Sequence, residues 1–204
     1  MRGEIEALRR FCGAHEPALL GAKREYAVLC PLLDRADGPH LLFETRSERV
    51  AQGGEVCFPG GERESGESVE ACVLRETREE LAIPPEEITL FGQGDFICNQ
   101  RGFLLRCVVG EVSAAGFAAI RPSENEVAGV FTVPLSFFRE TPPRLWRYDL
   151  VADPPADFPY AEIGVPDPYP WANGRVEVPL WRYEGHAIWG MTARLVMGLL
   201  SHLE

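Results

Sequence analysis

An α/β fold of the α+β kind, with a mixed central β-sheet held between helices, is predicted by two features of this 204-residue chain. Short apolar runs of strand length alternate irregularly with runs whose apolar residues recur every three or four positions. A hydrophobic content of 46%, without internal repeats or low-complexity tracts, suffices for one sizeable core. Residues 1–204 are therefore read as a single domain.

The elements follow in order. Ile5, Leu8 and Phe11, at three-residue intervals, predict a short helix over residues 3–12. Glu25–Leu33, Leu41–Thr45 and Glu55–Phe58 read as strands, and a long helix is expected over Glu67–Leu81, stopped by Pro84 and Pro85. Strands at Ile88–Phe96 and Phe103–Val112 flank a turn at residues 98–102, CNQRG. A strand at Glu126–Val133 and a short helix at Leu135–Arg139 come next. Residues 141–183 form a proline-rich, aromatic insertion, in which Trp146, Tyr148, Phe158, Tyr160, Tyr169 and Trp171 call for burial or a ligand. The chain closes on a helix at about 186–203, with Ile188, Met191, Leu195, Leu199 and Leu203 in helical period. Trp181 and Trp189 read as core, and His186 as a cap or packed residue.

Composition narrows the partners. The net charge of −11, without a basic stripe, argues against nucleic acid. No apolar run reaches the ~18 residues of a membrane span, and MRGEIEALRRF lacks the apolar stretch of a signal peptide. Six scattered cysteines, without a CxxC pair, read as reduced thiols of a cytoplasmic protein, most of them in the core.

The chemistry concentrates in the long helix. Glu76 and Glu80 are four residues apart and stack on one face, with Glu79 beside them. Like charges so spaced cost roughly a few tenths of a kcal/mol per pair. A divalent cation compensates, because hard cations take carboxylate oxygens. Behind the Gly60-Gly61 turn, the spacing of Gly61, Glu67, Arg75-Glu76 and Glu79-Glu80 resembles the Nudix box, G-x5-E-x7-R-E-U-x-E-E-x-G-U, where U is bulky and aliphatic. Thr77 stands at the first U, and Ala82 replaces the final Gly, which ends the helix with positive φ. Upstream, LLFETRSERVAQGGEVCFPGG (41–61) resembles the signature of the coenzyme A pyrophosphatase branch of the Nudix superfamily. That signature's Arg falls at Val50, with Arg49 adjacent. ENEVAGVFTVPLSFF (124–138) and HAIWGMTARLVMGLL (186–200) resemble the same branch.

The resemblance implies a Nudix-type α/β/α sandwich and hydrolysis, dependent on Mg²⁺ or Mn²⁺, of a small-molecule phosphoanhydride. For this branch the substrate is coenzyme A (CoA) or a derivative, cleaved to 3′,5′-ADP and 4′-phosphopantetheine or its acyl form. Glu76 and Glu80 are then metal ligands together with the Gly60 carbonyl. Glu79 is either a third ligand or the base that deprotonates the attacking water, and Glu126 a further base or outer ligand. Arg75, pairing with Glu79 at i,i+4 or with Glu67 across the turn, orients the carboxylates, with Glu67 and Gly61 in the same scaffold. Arg46 and Arg49 are candidates for holding substrate phosphate, above all the 3′-phosphate of CoA in so acidic a chain. A Nudix enzyme acting on ADP-ribose, a dinucleotide or a nucleoside triphosphate shares the box. A non-catalytic Nudix binding module usually has eroded carboxylates, whereas Glu76, Glu79 and Glu80 are all present.

Overall fold

The computed structural model describes residues 2–15, 18–22, 24–99 and 102–203. In chain order the elements are α1 (Arg2–Ala14), β1 (Arg24–Arg35), β2 (Gly38–Arg46), β3 (Val56–Cys57), β4 (Gly60–Glu62) and α2 (Val69–Leu81). A 3-10 turn (Pro85–Glu87) leads to β5 (Ile88–Cys98), β6 (Phe103–Val112), α3 (Ala114–Ala118), β7 (Val127–Pro134) and α4 (Leu135–Glu140). The chain ends with β8 (Arg144–Leu150), β9 (Gly174–Tyr183), β10 (His186–Trp189) and α5 (Gly190–Ser201).

Among the described residues the strands form two sheets. In the seven-stranded sheet, β3, β2, β1, β6 and β5 lie in that order, with β4 on β1 and β7 on β2. The pairing of β1 with β6 is parallel and the others antiparallel, which makes the sheet mixed, as expected. The period of two in β1 and β2 sorts the core. Ala27, Leu29, Leu33 and Leu42 pack with Val69, Cys72, Val73 and Leu81 of α2. Cys30, Leu41 and Phe43 pack on the opposite side with Phe138 of α4 and Leu195 and Val196 of α5. The sheet is thus buried between helices, as its apolar strands require. The second sheet, β10-β9-β8, is antiparallel throughout.

Several expectations are corrected. The long helix begins at Val69, because Ser68 caps it: its Oγ accepts the Ala71 N–H at 3.0 Å. Glu67 therefore lies in the preceding loop. Residues 186–189 are strand β10, and α5 starts only at Gly190. Glu184 (φ 46°) and Gly185 (φ 89°) form the two-residue turn between β9 and β10, the pairing of left-handed residues that suits a hairpin. Trp189 is consequently 43% exposed and not core, whereas Trp181 is 2% exposed. His186 is packed as expected, stacked on Phe131 at 3.7 Å. The insertion supplies β8 and β9, and in the loop between them Trp171 meets Phe158 and Tyr169 edge-on. Ile5, Leu8 and Phe11 lie on α1 but face outward. Cys30, Cys72 and Cys107 are buried and Cys57 half-buried, but Cys12 and Cys98 are exposed. In the turn at 98–102, Gly102 donates to the Asn99 carbonyl at 3.1 Å; Gln100 and Arg101 lie outside the described residues.

Candidate active site

The site is assembled where β4 is pressed between β1 and α2. Gly60 pairs with Val28 at φ 151°, and a Cβ there would stand 2.2 Å from the Ala27 carbonyl oxygen. A Cβ on Gly61 would stand 2.3 Å from the Glu76 carboxyl. Only glycine permits both approaches. Phe58, just before them, stacks on Phe43 in the core at 4.8 Å, and the Pro59 carbonyl accepts the Leu29 N–H at 2.9 Å. The turn is thereby fixed to the sheet, and the Gly60 N–H donates to Glu80 Oε2 at 2.8 Å.

Arg75 organises the outer half of the helix face. Its Nε and Nη2 donate to the two oxygens of Glu67 at 2.9 and 3.1 Å, a bidentate pair. Nη1 reaches Glu76 at 2.7 Å and Glu79 at 3.2 Å, and Nη2 also reaches the Glu62 carbonyl at 3.3 Å. Both expected partners, Glu67 and Glu79, are therefore engaged at once. The Arg75 hydrogen bond, followed by the Glu64 N–H, holds the Glu67 carboxyl down at about 2. The Glu79 side chain remains 57% exposed beside the guanidinium.

The inner half is buried and acidic. Glu80 is 5% exposed, and Glu44 of β2, which the sequence reading did not single out, is 1% exposed. The Cys57 thiol donates to Glu44 Oε1 at 3.2 Å, while Glu44 Oε2 is buried with no hydrogen-bond partner among the described residues. Burial raises the carboxyls of Glu80, Glu44 and Glu76 above the ordinary range. Glu80 is raised further by Glu44, and both by Glu76 and Glu126. An orphaned buried oxygen amid four mutually repelling carboxylates is the donor set a hard divalent cation fits. No three His, Cys, Asp or Glu side chains among the described residues are arranged as a metal site. Glu76 and Glu80 are instead held by Arg75 and the Gly60 N–H.

A cavity of about 960 Å³ opens above these groups. Glu76, Glu80, Glu126, Gly60 and Gly61 line its floor, and Arg46, Val50 and Glu55–Phe58 one wall. Tyr148 and Arg175–Val178 of the second sheet, with Met191, Thr192 and Arg194 of α5, form the other. Of the two predicted substrate arginines only Arg46 reaches the cavity, its Nε held by the Ala51 carbonyl at 3.0 Å. Arg49 is exposed and donates to Asn125 Oδ1 at 3.0 Å, away from the cavity wall. Sequence reasoning missed Glu44, Arg175 and Arg194; Arg194 had its signal in the IWGMTAR run, whereas Arg175 had none.

The NUDIX domain family matches residues 23–152. An uncharacterized Nudix hydrolase, NudL, of Citrobacter koseri is 36% identical over 179 residues, covering 87% of this chain and 81% of the relative. A NudL from Enterobacter sp. (strain 638) is 34% identical over 178 residues, with the same coverage. Among solved structures, the fold is similar to that of RenU, a Nudix hydrolase from M. smegmatis. The TM-score is 0.50 at 20% identity, over 58% of this chain and 74% of that one. That likeness bears on the fold alone.

Proposed function

The chain belongs to the Nudix hydrolase family, whose members hydrolyse small-molecule phosphoanhydrides with divalent metal ions, and from that premise we propose that it cleaves the pyrophosphate bond of CoA or a CoA derivative. The products are 3′,5′-ADP and 4′-phosphopantetheine, or the acylated form of the latter. One observation carries this reading. The two segments that resemble the CoA branch, residues 41–61 and 186–200, are far apart in sequence yet line one cavity above the carboxylates, where Thr192 Oγ1 donates to the Val56 carbonyl at 3.1 Å. The single-domain reading over 1–204 and a cytoplasmic setting go with the proposal; the six free thiols suit a reducing compartment.

Glu76 and Glu80, with the Gly60 carbonyl and Glu79, would hold Mg²⁺ or Mn²⁺. When bound, the metal supplies neutralisation of the phosphoanhydride oxygens and a water acidified for attack. Glu126, which lines the cavity, would take the proton of the attacking water. The water oxygen attacks phosphorus as the bridging P–O bond breaks, and the bond's electron pair leaves with the departing phosphate. Arg75 holds Glu67, Glu76 and Glu79 in fixed orientation. Arg46 meets the substrate's phosphate.

The test is a substrate panel with Mg²⁺ and with Mn²⁺: CoA, ADP-ribose, NADH and 8-oxo-dGTP. CoA cleavage with release of 3′,5′-ADP is expected to dominate. Brisk ADP-ribose turnover without detectable CoA cleavage overturns the substrate assignment while leaving the hydrolase intact.

A further inference from the structure

The antiparallel pairing of β8, β9 and β10 sorts their side chains by face. Pro179 and Trp181 of β9 and Ile188 of β10 are buried. The opposite face carries Val176, Val178 and Leu180 along β9. Tyr148 stands across from Val176, Trp146 from Val178 and Trp189 from Leu180. That face is open: Trp146, Tyr148 and Trp189 are 46%, 53% and 43% exposed. Arg144, the other partner of Leu180, sets its guanidinium 4.5 Å over Trp146, and an exposed face of aromatic and aliphatic side chains of this kind marks a binding face.

Two hollows meet on it. The cavity above the carboxylates takes Tyr148, Val176, Val178 and Trp189 into its wall. A second hollow of about 330 Å³ is lined by Trp146, Val178, Leu180, Arg182, Ala187 and Trp189. Val178 and Trp189 belong to both, so one apolar strip runs out of the cavity and along β9. From Val178 to Arg182 the strand covers roughly 13 Å. Among the described residues no carboxylate lines the second hollow, and apart from Arg182 its lining residues are apolar. It suits a hydrocarbon, not a phosphate or a metal.

We propose that this strip seats the acyl chain of an acylated CoA. The pyrophosphate lies over the carboxylates, and the thioester end leaves the cavity past Val178 and Trp189 onto the outer face of β9. The assignment rests on the CoA reading given above. A second copy of the chain is the rival occupant of an open apolar sheet face. Continuity with the cavity favours the substrate, because a chain seated on Trp189 would cover the cavity's own wall.

The experiment compares kcat/KM for free CoA and octanoyl-CoA in wild type, Trp146→Ala and Leu180→Ser, with sedimentation velocity on each. Both positions line the second hollow and neither lines the first. Wild type is expected to favour octanoyl-CoA by at least about tenfold, through KM. Each variant should erase that preference while leaving free CoA within about twofold. A series of acyl lengths on wild type reads the strip without any substitution, with kcat/KM rising from acetyl to octanoyl. CoA cleavage indifferent to chain length, or an equal loss on both substrates in the variants, overturns the strip alone. So does a wild-type dimer that Trp146→Ala dissociates. Failure to cleave either substrate overturns the CoA reading and the strip with it.

Discussion

The seven-stranded sheet is covered on both faces, by α2 on one side and by α4 and α5 on the other, whereas the three-stranded sheet buries Pro179, Trp181 and Ile188 and leaves Trp146, Tyr148 and Trp189 open. The first sheet spends its burial on rigidity. It fixes Gly60 and Gly61 against β1 and α2 and holds carboxylates where water would otherwise screen them. The second contributes no carboxylate to the buried cluster and instead supplies the far wall of the cavity. The family match at residues 23–152 spans the whole of the first sheet and only β8 of the second. On the proposed reading the first sheet carries the chemistry, while substrate contacts are shared between Arg46 of that sheet and the second sheet with α5, and that division can be broken experimentally.

The largest effect is expected at Glu80. Glu80→Gln keeps an oxygen to accept the Gly60 N–H but removes the charge at the centre of the buried cluster. Turnover should fall by about a thousandfold, roughly 4 kcal/mol of transition-state stabilisation, with weaker Mg²⁺ binding. Without metal the melting temperature should hold or rise, since a neutral amide escapes the cost of burying a carboxylate there, and secondarily the repulsion from Glu44. Retention of more than about half of wild-type activity at saturating Mg²⁺ would falsify the assignment.

How much of this was readable depends on distance along the chain. The strand at Phe103–Val112 and the spacing of Glu76, Glu79 and Glu80 are local patterns, and they stand in the structure as read. Glu44 was hidden: within LLFETR it shares strand parity with Leu42, and its partner Cys57 comes 13 residues later. The three-stranded sheet was hidden for a different reason. Pro179 interrupts β9, a 23-residue stretch (151–173) parts it from β8, and the apolar residues of β10 continue the helical period of α5. The pairing of β2 with β7 also slips between Thr45 and Arg46, beside the point where one arginine turns to the cavity and the other to Asn125. Side-chain spacing alone does not reveal such a slip.

That slip leads to the next prediction. Arg46→Ala should lower kcat/KM for CoA about tenfold, near 1.4 kcal/mol, with a much smaller loss on dephospho-CoA, which lacks the 3′-phosphate. Arg49→Ala should stay within about twofold on both. Equal losses on the two substrates for Arg46→Ala would show that the first sheet does not read the 3′-phosphate, and would shift that role to Arg175 or Arg194 across the cavity.

A comparable effect, on stability, is expected at Glu67. Its carboxyl titrates at about 2 in the folded protein against an ordinary 4.5, so its contribution is fully present above pH 4.5 and is lost as pH falls towards 2. Glu67→Gln should cost roughly 1.5 kcal/mol at pH 7, the value of a charge-assisted pair. The gap to wild type in urea titrations should narrow at pH 3. A gap independent of pH would mean that the loop before α2 is held by packing and not by the Arg75 ion pair.

The smallest effect tests the end of the same helix. Ala82 caps α2 at φ 58° and ψ 23°, with its N–H on the Arg78 carbonyl at 2.9 Å, in the left-handed conformation where a Cβ is disfavoured and glycine is the usual occupant. Its side chain is exposed, so removing it forfeits no packing. Ala82→Gly should therefore stabilise the protein by up to about 1 kcal/mol, relief of left-handed strain outweighing the added freedom of the unfolded chain. The gain should appear in thermal denaturation while kcat on CoA is unchanged, because Glu76 and Glu80 are already fixed by Arg75 and Gly60. If kcat moves together with stability, the helix end and the carboxylates are mechanically coupled, and the burial of the first sheet does not by itself fix the site.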